Sequence, residues 1–439
     1  MKELKNWLFP GLALVVFGSL LAALLREMET VSFEMMMGVL AYSLAMTVMF
    51  ISIRPKLVEP SHGLPSLYAV HGTLAIVLSV AAIIHLLMYF DNFQGLAEFS
   101  LTSWAGFIGV LGFSVATLTG IFGLSSTFIS KSRRLLRWKN QVFNREISLW
   151  LHRLAVLGAI GAYLHILSFG FLRSNTLFIS LASLYALLGI GGYFAYKLSL
   201  AKLPTYEITA IKRPTPTLFA LEFSPKSGQR MSYEPGQYVF VRLKKSNLPP
   251  ESHPFSISSA PNDGENTLEV MIKKSGDFTN RLDELNVGDV ATLEGPYGHF
   301  LDEDTKNSQV PMVLLAGGIG ATPILSILRQ QMKEPTNRHI DLVWALALEE
   351  DLMLLDELKA MKAKNPNFNY HFIFSDEEVS GYPFGFVTGE YLASLGLEES
   401  YVQSRFFICG PPPMMNAVKG VLAKNGVEEE RIHIEEFGF

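Results

Sequence analysis

Between Leu67 and Phe90 the chain reads LYAVHGTLAIVLSVAAIIHLLMYF, an apolar run interrupted by two histidines, His71 and His85. A charge-free run of this length can cross the hydrocarbon core of a bilayer as a helix, which takes about 20 apolar residues. An ionisable side chain inside such a run is costly, so an imidazole there points to function. Five further runs share this character: Trp7 to Leu25, Phe33 to Ile53, Thr102 to Leu124, Ile147 to Gly170 and Thr176 to Leu198. Of these, only Ile147 to Gly170 contains histidine, at His152 and His165.

The connections orient the six runs, because Lys and Arg collect in short cytoplasmic loops. Lys2 and Lys5, Arg54 and Lys56, the group Lys131, Arg133, Arg134, Arg137, Lys139 and Arg145, and finally Lys197 and Lys202 fall on alternate connections. The loop around Asp91 and Glu98 then lies outside, with Arg26 and Arg173 as exceptions on that face. Lys2 and Lys5 before the first run resemble a signal peptide, but no small-x-small cleavage site follows, so the run is read as a retained span. The expectation is a six-helix transmembrane bundle over residues 1–200, in the plasma membrane, with both termini cytoplasmic.

The third and fifth spans run the same way, so His71 and His152 share the inner level and His85 and His165 the outer. Such histidines can hydrogen-bond across helices or line a polar cavity. Facing imidazoles from two helices are also what six-coordinate haem iron requires. At 1.5 Å per residue the two levels lie about 21 Å apart. At 100° per residue the offset from His71 to His85 returns within about 40° of one face, whereas that from His152 to His165 leaves about 140°. Either the fifth helix is irregular near Gly158 and Gly161, or its two sites are approached at different azimuths.

The average of 49% hydrophobic residues hides two dissimilar halves. A net charge of -5 over 439 residues gives no reason to expect a nucleic-acid partner. The single cysteine, Cys409, excludes an intramolecular disulfide and cannot alone hold an iron–sulfur cluster or a structural zinc. From Tyr206 onward, short alternating strands between Pro and Gly turns predict an antiparallel β-barrel over residues 201–305. From about residue 306, apolar runs alternate with helical stretches, which predicts an α/β parallel-sheet domain over residues 306–439.

Two motifs in this half read directly as phosphate sites. Gly276-Asp-Phe-Thr279-Asn-Arg-Leu follows a strand and opens a helix, with Lys273, Lys274 and Arg281 nearby to attract a pyrophosphate, although Thr279 also fits a plain helix cap. Ala316-Gly317-Gly318-Ile-Gly320-Ala-Thr322-Pro323 directly follows an apolar strand, so its glycines let a nicotinamide nucleotide's phosphates approach the backbone.

The His-x13-His and His-x12-His pair on the third and fifth of six spans resembles the NADPH oxidase and ferric reductase superfamily. The resemblance implies two b-type haems in series. His253-Pro254-Phe255-Ser256-Ile257 resembles the flavin motif of ferredoxin-reductase-like folds, which implies FAD with Phe255 against the isoalloxazine and Ser256 near its N5. His253 stands where an arginine is usual. Phe407-Ile-Cys409-Gly410-Pro411 resembles the same family's nicotinamide-side loop, with Cys409 near the hydride path or, alternatively, an inert buried residue. The end of the chain resembles the strand whose terminal aromatic covers the flavin, with Phe437 in that place and Phe439 the alternate. Ser256, Cys409 and Phe437 are thus the implied catalytic residues.

The implied route runs from NADPH or NADH through FAD and the inner and outer haems to O2, giving superoxide. Ferric iron as acceptor, or supply of electrons to a partner enzyme, shares the same wiring. A transporter or sensor with intramembrane histidines is the alternative from another class. Animal oxidases carry a further histidine where this chain has Tyr89. No calcium loop, proline-rich tail or Asn-x-Ser/Thr site is found, so no obligatory cytosolic activator is indicated and a bacterial form is expected. The run Ala345 to Asp351 has no arginine and Asp376 follows Ser375, which disfavours a 2′-phosphate, while Arg338, Lys359 or Arg405 could reach one. Use of both dinucleotides is the expectation.

Overall fold

The computed structural model describes residues 8–55, 59–91, 101–124, 145–245, 248, 251–261, 264–276, 278–301, 303–306, 308–333, 337–396 and 402–436. The basic cluster from Lys131 to Lys139, Glu98, Phe437 and Phe439 lie outside the described residues. The chain divides into two compact units, residues 1–201 and 202–438.

The first unit is helical: α1 (Leu8–Leu25), α2 (Phe33–Ser52), α3 (Glu59–Asp91), α4 (Leu101–Thr119), α5 (Arg145–His152), α6 (Leu154–Ser168), the short α7 (Gly170–Ser174), α8 (Thr176–Ala186) and α9 (Gly192–Leu200). They make six helical stretches long and apolar enough to cross a membrane. Large apolar side chains such as Leu14, Val15, Leu187 and Leu198 face outward, the reverse of a water-soluble bundle. Two of the polar side chains inside bond to the backbone of distant helices. Tyr42 donates to the Ala182 carbonyl at 2.6 Å, and Asn175 donates to Ala23 O at 2.8 Å while accepting from Phe178 N at 2.9 Å as the cap of α8.

The irregularity expected near Gly158 and Gly161 lies instead at Arg153. The helix stops at His152, the Arg153 N–H is shared between the Leu149 and Trp150 carbonyls at 3.2 Å each, and α6 restarts at Leu154. Gly158 and Gly161 sit inside regular helix and serve packing. A Cβ on Gly161 would lie 2.8 Å from the Ala105 carbonyl oxygen, and one on Gly112 2.8 Å from that of Leu154. Small residues therefore let α4 and α6 approach backbone to backbone.

The second unit begins with a curled antiparallel sheet in the order β4-β3-β6-β1-β2-β5, formed by β1 (Thr205–Thr215), β2 (Leu218–Pro225), β3 (Tyr238–Leu243), β4 (His253–Ser256), β5 (Leu268–Lys273) and β6 (Val290–Tyr297). β4 is an edge strand, which is where a strand containing Pro254 must be, since proline has no N–H for a second neighbour. The sheet curls until Ile257 bridges Val270, bringing its two edges together. Phe219, Phe223, Val239, Val270 and Leu293 fill the interior.

A parallel sheet follows, ordered β11-β10-β7-β8-β9, from β7 (Met312–Gly317), β8 (Ile340–Leu346), β9 (Phe368–Phe374), β10 (Arg405–Cys409) and β11 (Ile432–Glu435). The helices are α10 (Glu303–Lys306), α11 (Ala321–Gln331), α12 (Leu355–Lys364), α13 (Gly389–Ser394) and α14 (Pro412–Lys424). β7 is buried along its whole length because helices cover both faces.

Arg329 of α11 ties the two sheets. Its guanidinium bonds Glu357 in a fork at 2.7 and 2.9 Å, Glu269 of β5 at 2.8 Å and the Ser258 carbonyl at 2.9 Å. Burial opposes its charge, but Glu357 and Glu269 more than offset this and keep its pKa high. Arg329→Leu would remove the cation from two partly buried carboxylates, which costs about 2 kcal/mol and roughly 4–8 °C in Tm for this unit. A melt followed by flavin release checks this, and an unmoved midpoint would show that the clamp adds no net stability.

Candidate functional site

In the helical unit the structure brings His71 beside His152 and His85 beside His165. Ring centroids are 6.0 and 6.1 Å apart. Two imidazoles on opposite sides of one metal, each at about 2 Å from nitrogen to metal, have centroids about 6 Å apart. Three of the four rings are anchored on backbone. His85 Nδ1 lies 2.8 Å from Glu34 O, His152 Nδ1 lies 2.8 Å from Ala116 O, and His71 bonds the Val48 backbone. Metal-binding histidines are oriented in this way, with Nε2 left for the metal.

The interruption at Arg153, where ψ is −15°, lies between His152 and His165, so their offset departs from that of an ideal helix. Glycines make room for the rings: a Cβ on Gly38 would lie 2.9 Å from His85, and one on Gly106 2.9 Å from His165. A cavity of about 350 Å³ lies against the outer pair, lined by apolar side chains with Tyr42, Tyr89 and Phe113. That volume is within the usual range of small-molecule sites, about 300–1,000 Å³. Among the described residues no group of three or more His, Cys, Asp or Glu could hold a metal ion. Two facing imidazoles alone suit an iron whose other four positions belong to a macrocycle, so these residues fit haem better than a bare ion.

In the second unit β4 carries the segment from His253 to Ser256, paired with β3 so that Phe255 faces Val239 and Ser256 faces Tyr238. Ser256 and Ile257 are buried, and the Ile257 N–H bonds Gln237 O at 2.9 Å. His253 stacks on Phe278 at 3.9 Å between centroids, and Phe255 lies near-parallel to Phe278 at 6.4 Å. Phe278 belongs to the Gly276 motif, whose turn, threonine and nearby cations carry the phosphate reading, and its aromatic layer with His253 and Phe255 is a feature that sequence reasoning missed.

The anticipated phosphate-binding helix at Gly276 is a single 3-10 segment, Thr279–Glu284. Thr279 Oγ1 accepts from the N–H groups of Ser275 and Gly276 at 2.9 Å each, so these donors are already engaged within the turn. The nearby cations are also paired: Lys273 with Asp351 at 2.5 Å, Lys274 with Asp283, and Arg281 with Glu284 at 2.9 Å. Thr279 closes the turn that precedes the segment and does not cap it, because the N–H groups it binds lie upstream.

The glycine turn stands at the carboxyl edge of the parallel sheet. Gly317 ends β7, Gly318 takes φ 52°, Gly320 precedes α11, and Thr322 and Pro323 lie in its first turn. Ala316, Cys409 and Glu435 are register partners on three adjacent strands, so Gly410 and Pro411 emerge directly beside the turn. A Cβ on Gly320 would overlap the Cys409 carbonyl. Burial pushes the Cys409 thiol pKa well up, and Glu435, a neighbour not singled out in the sequence, pushes it the same way. Arg338 and Arg405 lie at the opposite, amino edge of the sheet, where Arg338 donates to Thr305 O at 2.7 Å and Arg405 to Thr305 Oγ1 at 2.8 Å. They are therefore withdrawn as partners for a 2′-phosphate, and Lys359 is paired with Asp356 at 3.6 Å on α12.

Gly320→Ala must push the turn and the Cys409 loop apart. A displacement near 1 Å costs about 100-fold in a positioned reaction, so NAD(P)H-dependent flavin reduction should fall by about that factor while FAD stays bound. Stopped-flow flavin bleaching checks this, and a rate close to that of the unaltered chain would refute the close-approach argument.

Residues 216–318 match the model of an FAD-binding domain, and residues 314–420 that of an oxidoreductase NAD-binding domain. The chain is 29% identical over 232 residues to the toluate 1,2-dioxygenase electron transfer component of Pseudomonas putida, covering 52% of this chain and 66% of that protein. It is 31% identical over 212 residues to the glycine betaine monooxygenase reductase subunit of Chromohalobacter salexigens, covering 47% and 56%. The chain thus spans less than two thirds of these relatives' length. The FAD/NAD-binding domain of nitric oxide dioxygenase from Vibrio cholerae superposes with a TM-score of 0.48 at 24% identity, covering 54% of this chain and 99% of that one. The second unit thus carries an FAD-binding domain followed by an oxidoreductase NAD-binding domain.

Proposed function

We propose that the chain takes electrons from NAD(P)H through FAD to two b-type haems, held by His71 with His152 and by His85 with His165, and across a bilayer to an external acceptor. The observation that carries this reading is the pair of imidazole pairs near 6 Å, with ring nitrogens anchored on backbone. Six apolar stretches with an apolar exterior support the membrane setting. When bound, FAD supplies the conversion of a two-electron hydride into single electrons, which iron accepts one at a time.

The chain's own residues position these groups. The Gly317–Gly320 turn admits the dinucleotide's phosphates, and Cys409, dry and protonated, flanks the place where nicotinamide would lie. Phe255, Ser256 and His253 would receive the flavin, Ser256 offering a hydroxyl near its N5, and Phe437 would cover its ring.

The names of the relatives, an electron transfer component and a reductase subunit, favour hand-off to a partner redox protein as the final step. A second reading is direct reduction of O2 to superoxide, or of ferric iron. It is supported by the cavity of about 350 Å³ against the outer pair, which has room for a small acceptor.

Replacing His85 or His165 by alanine should remove about half of the b-type absorbance from a reduced-minus-oxidised spectrum, one site of two. Electron passage to an external acceptor should stop, while ferricyanide reduction at the flavin continues. A detergent-purified chain with intact flavin and no haem spectrum would sink the proposal. Superoxide on admission of air would separate the two acceptor readings.

A further inference from the structure

The loops that follow β8 and β9 are acidic. Glu349, Glu350 and Asp351 come after the first, and Asp376, Glu377 and Glu378 after the second. Ser375 N bonds Leu346 O at 3.0 Å and Asp376 N bonds Ala347 O at 3.1 Å, which seats one loop against the other. Glu349 N donates to Glu377 Oε2 at 2.9 Å across the same seam. The carboxylates of Glu349, Asp376 and Glu377 are on exposed residues. Glu349 stands at the same edge as the glycine turn, one strand across, since Gly317 is the register partner of Ala345; Asp376 and Glu377 follow the next strand and reach that place only because their loop is seated against the first.

In a nucleotide-binding sheet of this order the phosphates sit at the glycine turn, and the adenosine ribose lies towards the next strand, where an acidic side chain can accept from the 2′-hydroxyl. A phosphate on that hydroxyl would meet carboxylates. Ser375 donates its hydroxyl to Asp376 Oδ1 at 2.9 Å and is thereby engaged. Arg338 and Arg405 are at the far edge, and Lys273, which does reach these loops, is held by Asp351 at 2.5 Å.

We propose that this acidic edge makes the chain selective for NADH over NADPH, with Asp376 as the specificity-determining residue and Glu349 and Glu377 supporting it. The inference rests on the nicotinamide-dependent reading above and narrows the expected use of both dinucleotides to one.

The test uses the full-length, FAD-loaded protein in detergent, titrated calorimetrically with 5′-AMP and with adenosine 2′,5′-bisphosphate. Anaerobic flavin reduction by NADH and by NADPH is measured in parallel. The unaltered chain should bind 5′-AMP at least about 10-fold more tightly at low salt, with the gap narrowing at 1 M salt, where screening shortens to about 3 Å. Asp376→Asn should narrow the ratio, Asp376→Arg should reverse it, and Glu349→Gln should shift it less in the same direction. Equal binding of the two probes by the unaltered chain, or an unmoved ratio in Asp376→Arg, overturns the proposal. If neither probe binds and neither dinucleotide reduces the flavin, the nicotinamide-dependent reading itself fails and takes the selectivity with it.

Discussion

An imidazole buried between apolar helices keeps one orientation only if its second ring nitrogen finds a partner, and the backbone is the partner at hand. This requirement organises the helical unit. The carbonyl of Glu34 and the backbone of Val48, both on α2, hold the two histidines of α3, while Ala116 on α4 holds His152. Neither α2 nor α4 contains a histidine, yet both are needed to aim one. The glycine contacts between α4 and α6 serve the same end, because Gly106 opens the space that the His165 ring enters.

The second unit answers a different constraint. A dinucleotide must lie across the ends of several strands, so those ends have to agree in height. The parallel register that aligns Ala316, Cys409 and Glu435 provides this, and the absence of side chains at Gly317 and Gly320 lets the loop after Cys409 close onto the turn. The antiparallel sheet must then hold still relative to that edge. Ser326 donating to the Ser259 carbonyl at 2.7 Å acts beside Arg329 to fix it there.

What could be read from the sequence was what depends on local pattern. Charge-free runs mark the helices, and alternating apolar residues mark β2, β3, β5 and β6. The glycine turn betrays itself by following an apolar strand. The two-level pairing of histidines was legible too, since it needs only the direction of two helices. β4 escaped because Pro254 does not look like a strand until its edge position is known. The break at Arg153 has no proline or glycine to announce it, and Gly158 and Gly161, which looked like the cause, are used in packing. The Arg329 clamp, the Phe278 stack and the pairing of Lys273 with Asp351 join residues far apart in the chain, and no local pattern records them. Arg338 and Arg405 were misjudged because sequence does not say at which end of a strand a flanking arginine will stand.

Cys409 is the sole sulfhydryl of the chain and has no exposed surface. Oxidative damage to cysteine starts from an ionised, accessible sulfur and climbs from sulfenic to sulfinic and sulfonic acid. Held protonated by burial and by Glu435, this sulfur is kept off the first rung. The chain's only thiol thus stands where peroxide has neither access nor a thiolate to attack, and where no second cysteine can trap it in a disulfide.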